Sequence, residues 1–433
     1  MAGRAPTSEH ARRGATAIVE ALRARGHVAY FAGGCVRDEL LGVDPADYDV
    51  ATDATPDRVK EIWPRSDLVG ACFGVVLVKQ RVMDAFVVVE VATFRADGAY
   101  SDSRRPDTVR FSTPEADAAR RDFTINALFM DPSAGPREAL GRQVSGVVID
   151  FVGGVPDLER RVLRAVGDPA KRLAEDHLRA LRAVRLVTRL DFTLDPATAD
   201  AITRDAQELR GVSRERIGDE VRRMLAHPAR ARAMAMLRDL GMERPVLGDG
   251  SLTLAPDRHR PGLMLEAIGP DVPATVAMAA WALDLGVALD QRGSDEGARM
   301  LRDALCLSNE ERDEVRHALH GARVLLEEWP ALGVAKRKRF AAGPAMAPGL
   351  MLVRALRPAL GEQVEAEVRI LEGTPGGVAP QPLLTGDDLV AAGWAPGPRF
   401  KGVLDAVYDA QLEGRVASTE EAMELARSLG VYK

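Results

Sequence analysis

The sequence predicts a mixed α/β head followed by a long all-helical remainder. Three observations carry that reading. The chain has 433 residues, more than a single hydrophobic core usually serves. Within the first 150 residues, short runs of β-type composition alternate with helical stretches. From Pro156 to Lys433, apolar residues recur at helical spacing and almost nothing alternates with period two. Composition agrees: 46% hydrophobic and 28% charged residues make a globular chain, and only 5% aromatics with abundant Ala, Leu and Arg favour helices.

In chain order, Val28–Phe31, Asp47–Ala51, Val75–Lys79, Ala85–Phe94, Val109–Phe111 and Val147–Phe151 read as strands, each bounded by turn residues. Ala11–Arg25, Pro56–Trp63 and Phe123–Phe129 read as the intervening helices. Pro and Gly breaks near 211, 245–262, 343–349 and 373–382 divide the remainder. The expected domains are a head over 1–150, then helical segments over 151–212, 213–340 and 341–433. No repeat of fixed period is visible.

Several classes are excluded. The N-terminus has no apolar core that could serve as a secretory signal. Val272 to Leu289 is interrupted by Pro273, Asp284 and Gly286, so it reads as a buried helix and not a membrane span. Cys35, Cys72 and Cys306 lie far apart with no metal-ligand spacing, which suits a reducing cytoplasm. A net charge of −6 argues mildly against nucleic-acid binding, but local fields decide phosphate contacts. Leu158 to Leu190 holds nine Lys and Arg against four Asp and Glu, and Lys336-Arg337-Lys338-Arg339 is a second basic cluster. Such runs are either solvated helix faces or RNA contacts.

Asp47-Tyr48-Asp49 sits where a strand begins, and alternation places the two carboxylates on one face with Tyr48 on the other. Glu90 lies inside Phe86–Phe94, otherwise a run typical of a buried strand. A lone charge there costs on the order of several kcal/mol unless paired or coordinated. The alternative is an edge position whose side chain reaches water. Joined to Asp47 and Asp49, Glu90 would complete an oxygen set for Mg²⁺, which favours sparse carboxylates supplemented by water and phosphate. Such ions activate an attacking hydroxyl and stabilise the leaving oxygen in phosphoryl transfer.

Upstream, Phe31-Ala32-Gly33-Gly34-Cys35-Val36-Arg37 combines a strand, a double glycine and a helix start. Glycines let backbone amides approach a phosphate, and the helix N-terminus adds a favourable dipole. Arg37 can add charge.

Phe31 to Thr52, Glu90–Arg95 (EVATFR), Arg120–Leu128 (RRDFTINAL) and Glu175–Arg185 (EDHLRALRAVR) follow one another in an order that resembles the bacterial class II tRNA nucleotidyltransferases. These belong, with the bacterial poly(A) polymerases, to the polymerase-β-like superfamily. The segment Leu384–Leu389 with Gly393 and Pro396-Gly397 resembles the family's tail, so the likeness runs over the whole chain. It implies a nucleotidyltransferase palm followed by helical neck, body and tail, with the neck reading the base and the tail binding tRNA. It also implies Asp47 and Asp49 as the ligands of catalytic magnesium, Glu90 as the third carboxylate, and Gly33, Gly34 and Arg37 at the triphosphate. Arg121 and Asp122 match the motif associated with the nucleotide's ribose. Capping of a helix N-terminus by Asp122 or Thr124 is the plainer reading of that segment, and both can hold.

On one helix, Asp176, Arg179 and Arg182 would share about a third of the circumference, opposite Leu181, Val184 and Val187. Taken alone, this is a surface helix held by Glu175–Arg179 and Asp176–Arg179 pairs. The resemblance implies instead a protein template, in which Asp176 and Arg179 read the Watson–Crick edge of cytosine or adenine. Glu175 would hold them, and Arg182 and Arg185 match further nucleotide-contacting positions. His177 stands where relatives usually have Pro, which bears on where the helix starts.

The loop Arg95–Pro106 matches the flexible loop of CCA-adding members, and Ala71–Val76 lacks the arginine-rich stretch of the poly(A) polymerases. The implied activity is therefore addition of CCA to tRNA 3′ ends from CTP and ATP. No membrane and no obligate protein partner are implied. The alternatives are poly(A) polymerase or partial CC- or A-addition, a small-molecule or protein nucleotidyltransferase, and a non-catalytic RNA-binding relative. The seven histidines are scattered, with His317 and His320 read as solvent-facing, so no metal-dependent phosphatase is expected.

Overall fold

The computed structural model describes residues 7–69, 74–83, 85–98, 109–248, 262–395, 397 and 399–429. It divides into two compact units, Met1–Ser213 with Met236–Pro245, and Arg214–Ala235 with Val246–Lys433. Cys72 and most of the Arg95–Pro106 loop lie outside the described residues.

The first unit opens with α1 (Ser8–Arg23), started by Thr7, whose side chain accepts the His10 N–H. Then come β1 (Ala29–Ala32), α2 (Gly34–Leu41), β2 (Asp49–Thr52), α3 (Pro56–Ile62) and β3 (Asp67–Val69). β4 (Val75–Val82), β5 (Ala85–Thr93), β6 (Arg95–Asp97), β7 (Val109–Phe111) and α4 (Pro114–Ala119) follow. β8 (Phe129–Ala139), β9 (Arg142–Ile149), α5 (Gly154–Glu159), β10 (Val162–Leu163), α6 (Pro169–Glu175), α7 (Leu178–Leu190), β11 (Thr193–Leu194) and α8 (Pro196–Arg204) complete it.

Seven strands form one sheet in the order β3-β4-β5-β2-β1-β8-β9, with β2 and β5 parallel and the other neighbours antiparallel. α1 covers one face: its Ala15, Ile18, Val19 and Leu22 are fully buried, and Gly14 comes against Val87 of β5. The helix stripe and the strand alternation therefore meet in one core. A second cluster on the other face joins Ala32, Ala51 and Phe94 to Ala118, Ala127, Phe129 and Val166. Phe94 and Phe129 meet edge to face at 5.8 Å.

The second unit is helical: α9 (Arg214–Leu225), α10 (Arg230–Asp239), α11 (Glu243–Leu247), α12 (Leu263–Ala267), α13 (Ala274–Asp284), α14 (Gln291–Leu305) and α15 (Asn309–Arg323), of which α10 and α11 each run across the boundary between the units. α16 (Val334–Ala341), α17 (Met346–Leu356), α18 (Pro358–Glu372), α19 (Gly386–Ala391), α20 (Arg399–Leu412) and α21 (Thr419–Leu429) end it. α13 is buried on all sides, as its unbroken apolar composition requires. Asp284 at its end is 2% exposed because its carboxylate accepts the Met264 and Leu265 N–H groups at 2.8 and 3.1 Å, capping α12. α15 and α17 cross where Gly321 faces Gly349; a Cβ on Gly321 would lie 2.0 Å from the Ala345 carbonyl oxygen. α19 to α21 close a small core of their own around Leu389, Val407 and Ala422. Among the described residues, no helix is long and apolar enough to cross a membrane.

Three sequence expectations about local structure change. Phe123–Phe129 is not a helix: Phe123 is extended and bridges Ala165, Thr124–Asn126 is a single tight turn, and β8 starts at Phe129. The long β8–β9 hairpin extends well beyond the predicted Val147–Phe151, since its outer part is polar and carries no apolar run. His317 and His320 are half-buried, and burial holds both imidazoles below their usual range.

Candidate active site

The double glycine, the two aspartates and Glu90 converge at one end of the central strands. Ala32 of β1 pairs with Asp49 of β2. The parallel register Val50↔Val91 continues back to set Asp49 beside Glu90, on one face of the sheet. β5 alternates buried and exposed positions along most of its length, so Glu90 projects outward and is exposed. The expectation of a buried strand is thus corrected. Glu90 reaches water, but from an interior strand between β4 and β2 and not from an edge.

Asp47 is exposed just before β2, Tyr48 is 3% exposed and Asp49 is half-buried, as alternation demands. Tyr48 anchors the segment: its hydroxyl donates to Glu39 at 2.6 Å, and Arg12 from α1 donates to the same oxygen at 2.8 Å. Phe31 packs against its ring at 5.1 Å. Burial, then the charges of Glu90 and Asp47, push the Asp49 carboxyl up to about 7, with Arg121 pulling the other way. Among the described residues, no group of three or more His, Cys, Asp or Glu side chains is arranged to hold a metal ion. The donor set is all carboxylate oxygen and mutually repelling, with Asp49 half-buried and Asp47 and Glu90 exposed. It suits a hard divalent cation that keeps water and substrate oxygens in its remaining positions.

This predicts a stability effect with a definite sign. Asp49 holds its proton more tightly folded than unfolded, so its contribution is full below about pH 4 and is lost as pH rises through about 7. Ionising it in the metal-free fold costs on the order of a few kcal/mol. Asp49→Asn should therefore melt higher than wild type at pH 8 without metal, with the gap closing toward pH 4. A divalent cation should raise the wild-type melting temperature more at pH 8 than at pH 5.5 and leave Asp49→Asn unmoved. Equal metal shifts in both proteins would contradict the assignment.

The glycine turn has its own logic. Gly33 has φ +79°, and a Cβ there would lie 2.8 Å from Arg121 Nη1, so only glycine fits. Gly34 begins α2, two residues after Ala32, the β1 partner of Asp49. Arg37 does not project freely into this space. It is 4% exposed, donates to Asp38 at 2.8 Å and to the Asn126 side-chain oxygen at 2.5 Å, and lies beneath the turn. Burial without a partner would be prohibitive for a guanidinium, and Asp38 supplies it. Its position stiffens the turn.

Arg121 donates to Asp117 at 3.1 Å and to the Asn126 carbonyl at 3.1 Å, and lies over the Phe129 ring at 5.1 Å. Asp122 is 9% exposed and accepts from the Phe123 N–H, from Asn126 Nδ2 at 3.2 Å and from Arg182 at 2.7 Å. Burial pushes the Asp122 carboxyl up, but Arg182, Asn126 and Arg179 together hold it below its usual range. A continuous chain results: Arg37, Asn126, Asp122, Arg182. It runs from the glycine turn to α7, and Arg189 of α7 also reaches Asp38 at 3.3 Å.

Glu175–Arg185 is not one helix. α6 ends at Glu175, Asp176 is extended at φ −156°, and α7 starts after His177. Asp176 instead accepts the Leu178 N–H at 3.1 Å, tying off the start of α7. Without proline, the chain turns at His177, whose backbone is already helical in φ and ψ. Arg179 donates to Glu175 at 2.5 Å and to the Arg172 carbonyl at 2.6 Å, so Glu175 fixes its guanidinium. Arg185 is half-buried on α7.

Two residues were missed from sequence. Asp117, 2% exposed, holds both Arg120 and Arg121; its carboxyl is pushed up by burial but held low by those two cations. Its spacing of four from Arg121 was the available signal. Asn126 was visible only as part of RRDFTINAL, and nothing in its type marks it as a bridge.

The basic cluster at 336–339 is mostly committed to structure. Arg337 pairs with Glu367 at 3.0 Å over the Trp329 ring, Arg339 pairs with Asp409 at 2.6 Å over Tyr408, and Lys338 is 3% exposed. Only Lys336 faces solvent. Arg337 and Arg339 thus fasten α16 to α18 and α20, and the run is not a free row of cations for RNA.

Comparison with known proteins places this geometry. Residues 29–164 match the model of the poly(A) polymerase head domain, and residues 191–248 match that of the probable RNA and SrmB-binding site of polymerase A. A CCA-adding enzyme of Geobacillus stearothermophilus is 41% identical over 229 residues, 53% of each chain, so the match spans about half of that relative. One from Limosilactobacillus fermentum is 31% identical over 411 residues, 94% of each chain. The crystal structure of the Bacillus stearothermophilus CCA-adding enzyme in complex with CTP superposes with a TM-score of 0.74 at 29% identity, covering 96% of this chain and 98% of that one. At 31% identity over 94% of both chains, with its head matching that of the poly(A) polymerases over residues 29–164, the chain belongs to the family of CCA-adding enzymes.

Proposed function

We propose that this protein adds CCA to the 3′ end of tRNA from CTP and ATP, releasing pyrophosphate. The observation that carries the reading is the convergence of Asp47, Asp49 and Glu90 beside the glycine turn, with Asp49 opposite Ala32 of β1 and Val50 opposite Val91 of β5. Asp47 and Asp49 would hold Mg²⁺, with Glu90 beside them; the bound ion supplies Lewis acidity to phosphate oxygen and acidifies the attacking hydroxyl. Gly34 and the first turn of α2 present backbone N–H groups to the triphosphate, while Gly33, whose own N–H donates to the Leu128 carbonyl at 2.9 Å, and Arg37 shape the turn. Arg121 and Asp122 orient the ribose end, Asp122 chiefly by holding Arg182. Asp176 and Arg179 read the base edge, and Arg182 and Arg185 frame it. Segments 1–150, 151–212, 213–340 and 341–433 then act as head, base-reading neck, body and tail. Relatives known with CTP, with ATP and with tRNA support this choice of ligands.

The test supplies the purified protein with a tRNA lacking its 3′ terminus and with CTP, ATP, both, or UTP and GTP, and sequences the products. CCA ends from the CTP–ATP mixture support the reading; A-tails alone, CC ends alone or no extension overturn it.

RNA holding by the second unit draws on a different basic site. Arg299, Arg302, Arg312 and Arg316 line a cleft of about 470 Å³ between α14 and α15 together with Asp295 and Asp313, the latter pairing with Arg312 at 2.8 Å and Arg316 at 3.7 Å. Reversing Arg299 and Arg302 to Glu should weaken tRNA binding and flatten the slope of log affinity against log salt by one to two counterions, roughly. Reversing exposed Lys336 should do little. An unchanged slope in the double variant would remove the cleft from the RNA path.

A further inference from the structure

The outward face of the β4–β5 hairpin departs from the usual polar surface of a half-buried sheet. In register, Arg81 stands opposite Phe86, Lys79 opposite Val88 and Leu77 opposite Glu90, and such partners share one face. Phe86 is 68% exposed and Val88 53%, while Arg81 and Lys79 are also exposed. The inward positions Ala85, Val87 and Val89 already fill the core against α1, so folding does not use the outward pair. A large exposed ring on a central strand is the informative exception among surface residues.

The strip has a direction. It begins at the hairpin end with Phe86 and Arg81 and finishes at Glu90, beside Asp49. At about 3.4 Å per residue, Phe86 lies roughly 14 Å from Glu90, the length of about four stacked nucleotides. Its cations alternate with apolar surface, the combination that holds single-stranded nucleic acid through stacking and backbone charge. Among the described residues, the ion pair on it, Lys79–Asp67 at 3.4 Å, joins two side chains more than half exposed, so a phosphate displaces it at little cost.

We propose that this face is the platform for the single-stranded 3′ end of the RNA, upstream of its reacting hydroxyl. Phe86 stacks on a base, Val88 packs beneath the strand, and Lys79 and Arg81 take its phosphates. The proposal rests on the RNA-extending activity above, and it identifies where the acceptor strand lies on the head.

Phe86→Ala, Phe86→Trp and Arg81→Glu are compared with wild type, using a tRNA lacking its 3′ terminus and carrying aminopurine near its end. Binding and fluorescence are measured without nucleotide, and extension separately. Phe86→Ala should weaken RNA binding by about five- to a hundredfold and abolish quenching of the aminopurine, with the KM for CTP unchanged. Phe86→Trp should restore both. Arg81→Glu should flatten the salt dependence. Unaltered binding and quenching in Phe86→Ala overturn the platform, as does a concentration-dependent dimer that Phe86→Ala disperses, since the strip would then be a self-association face. Failure of wild type to extend any RNA would count against the enzymatic reading alone, because binding and quenching need no chemistry.

Discussion

Alanine at Asp49 or Asp47 is expected to lower incorporation of both CMP and AMP by on the order of a thousandfold or more, several kcal/mol of transition-state stabilisation. The two nucleotides should suffer equally, because in the proposed function the carboxylates serve the reacting phosphate and not the base. Asp49 is the more sensitive position. It is half-buried on the strand between β1 and β5, whereas Asp47 and Glu90 are exposed. Binding of tRNA should survive, since Asp49→Ala removes a strained charge from the fold rather than a support. Glu90 is exposed, and Glu90→Gln should impair less. Single-turnover rates with each nucleotide, alongside a tRNA binding assay, decide the matter. Normal rates in both alanine variants would refute the carboxylate assignment.

Arg179→Ala should change which nucleotide is added more than how fast. A base edge read through paired donors and acceptors is worth roughly 1–3 kcal/mol, so discrimination against UTP and GTP should fall about tenfold to more than a hundredfold. The geometry sharpens this expectation. Arg179 is clamped by Glu175 and by the Arg172 carbonyl, so its guanidinium plane is set before a nucleotide arrives. Glu175→Gln should then loosen selectivity in the same direction but by less, while leaving the carboxylates untouched. A purely structural ion pair makes the opposite forecast: a small drop in melting temperature and unchanged nucleotide choice. Sequenced product ends from mixed-nucleotide reactions separate the two. A folded Arg179→Ala protein as strict as wild type would end the template reading.

The sequence showed the alternation of β1, β2, β4 and β5 because each carries a dense apolar period. It could not show β8 and β9, whose pairing is long-range and whose outer residues are polar. Glu90 looked buried because its exposed neighbours, Phe86 and Val88, are themselves apolar. The period of two was present, but hydrophobicity did not follow it. The aspartates and the glycine turn stood out by type and spacing, whereas Arg179 read as a surface ion pair until the family resemblance singled it out. The break at Asp176 was not, because a side chain capping α7 competes with continuing the helix, and only the folded backbone shows which prevails. Arg37 and Lys338 show the converse limit: a cation's charge is plain in sequence, whereas its burial depends on residues up to 89 positions away.

Asn126 has a consequence for what can stand at its position. Its oxygen faces the Arg37 cation and its nitrogen faces the Asp122 anion, so the amide lies as a neutral dipole between opposite charges. An acid there would confront Asp122, a base would confront Arg37, and an isosteric hydrocarbon would leave both unanswered. Among side chains of this size, only a carboxamide can speak to both ends, and only in one of its two rotational states. Position 126 is thus a polarity-keyed joint: a disturbance at the glycine turn can be felt at Arg182 only while that key stays the right way round.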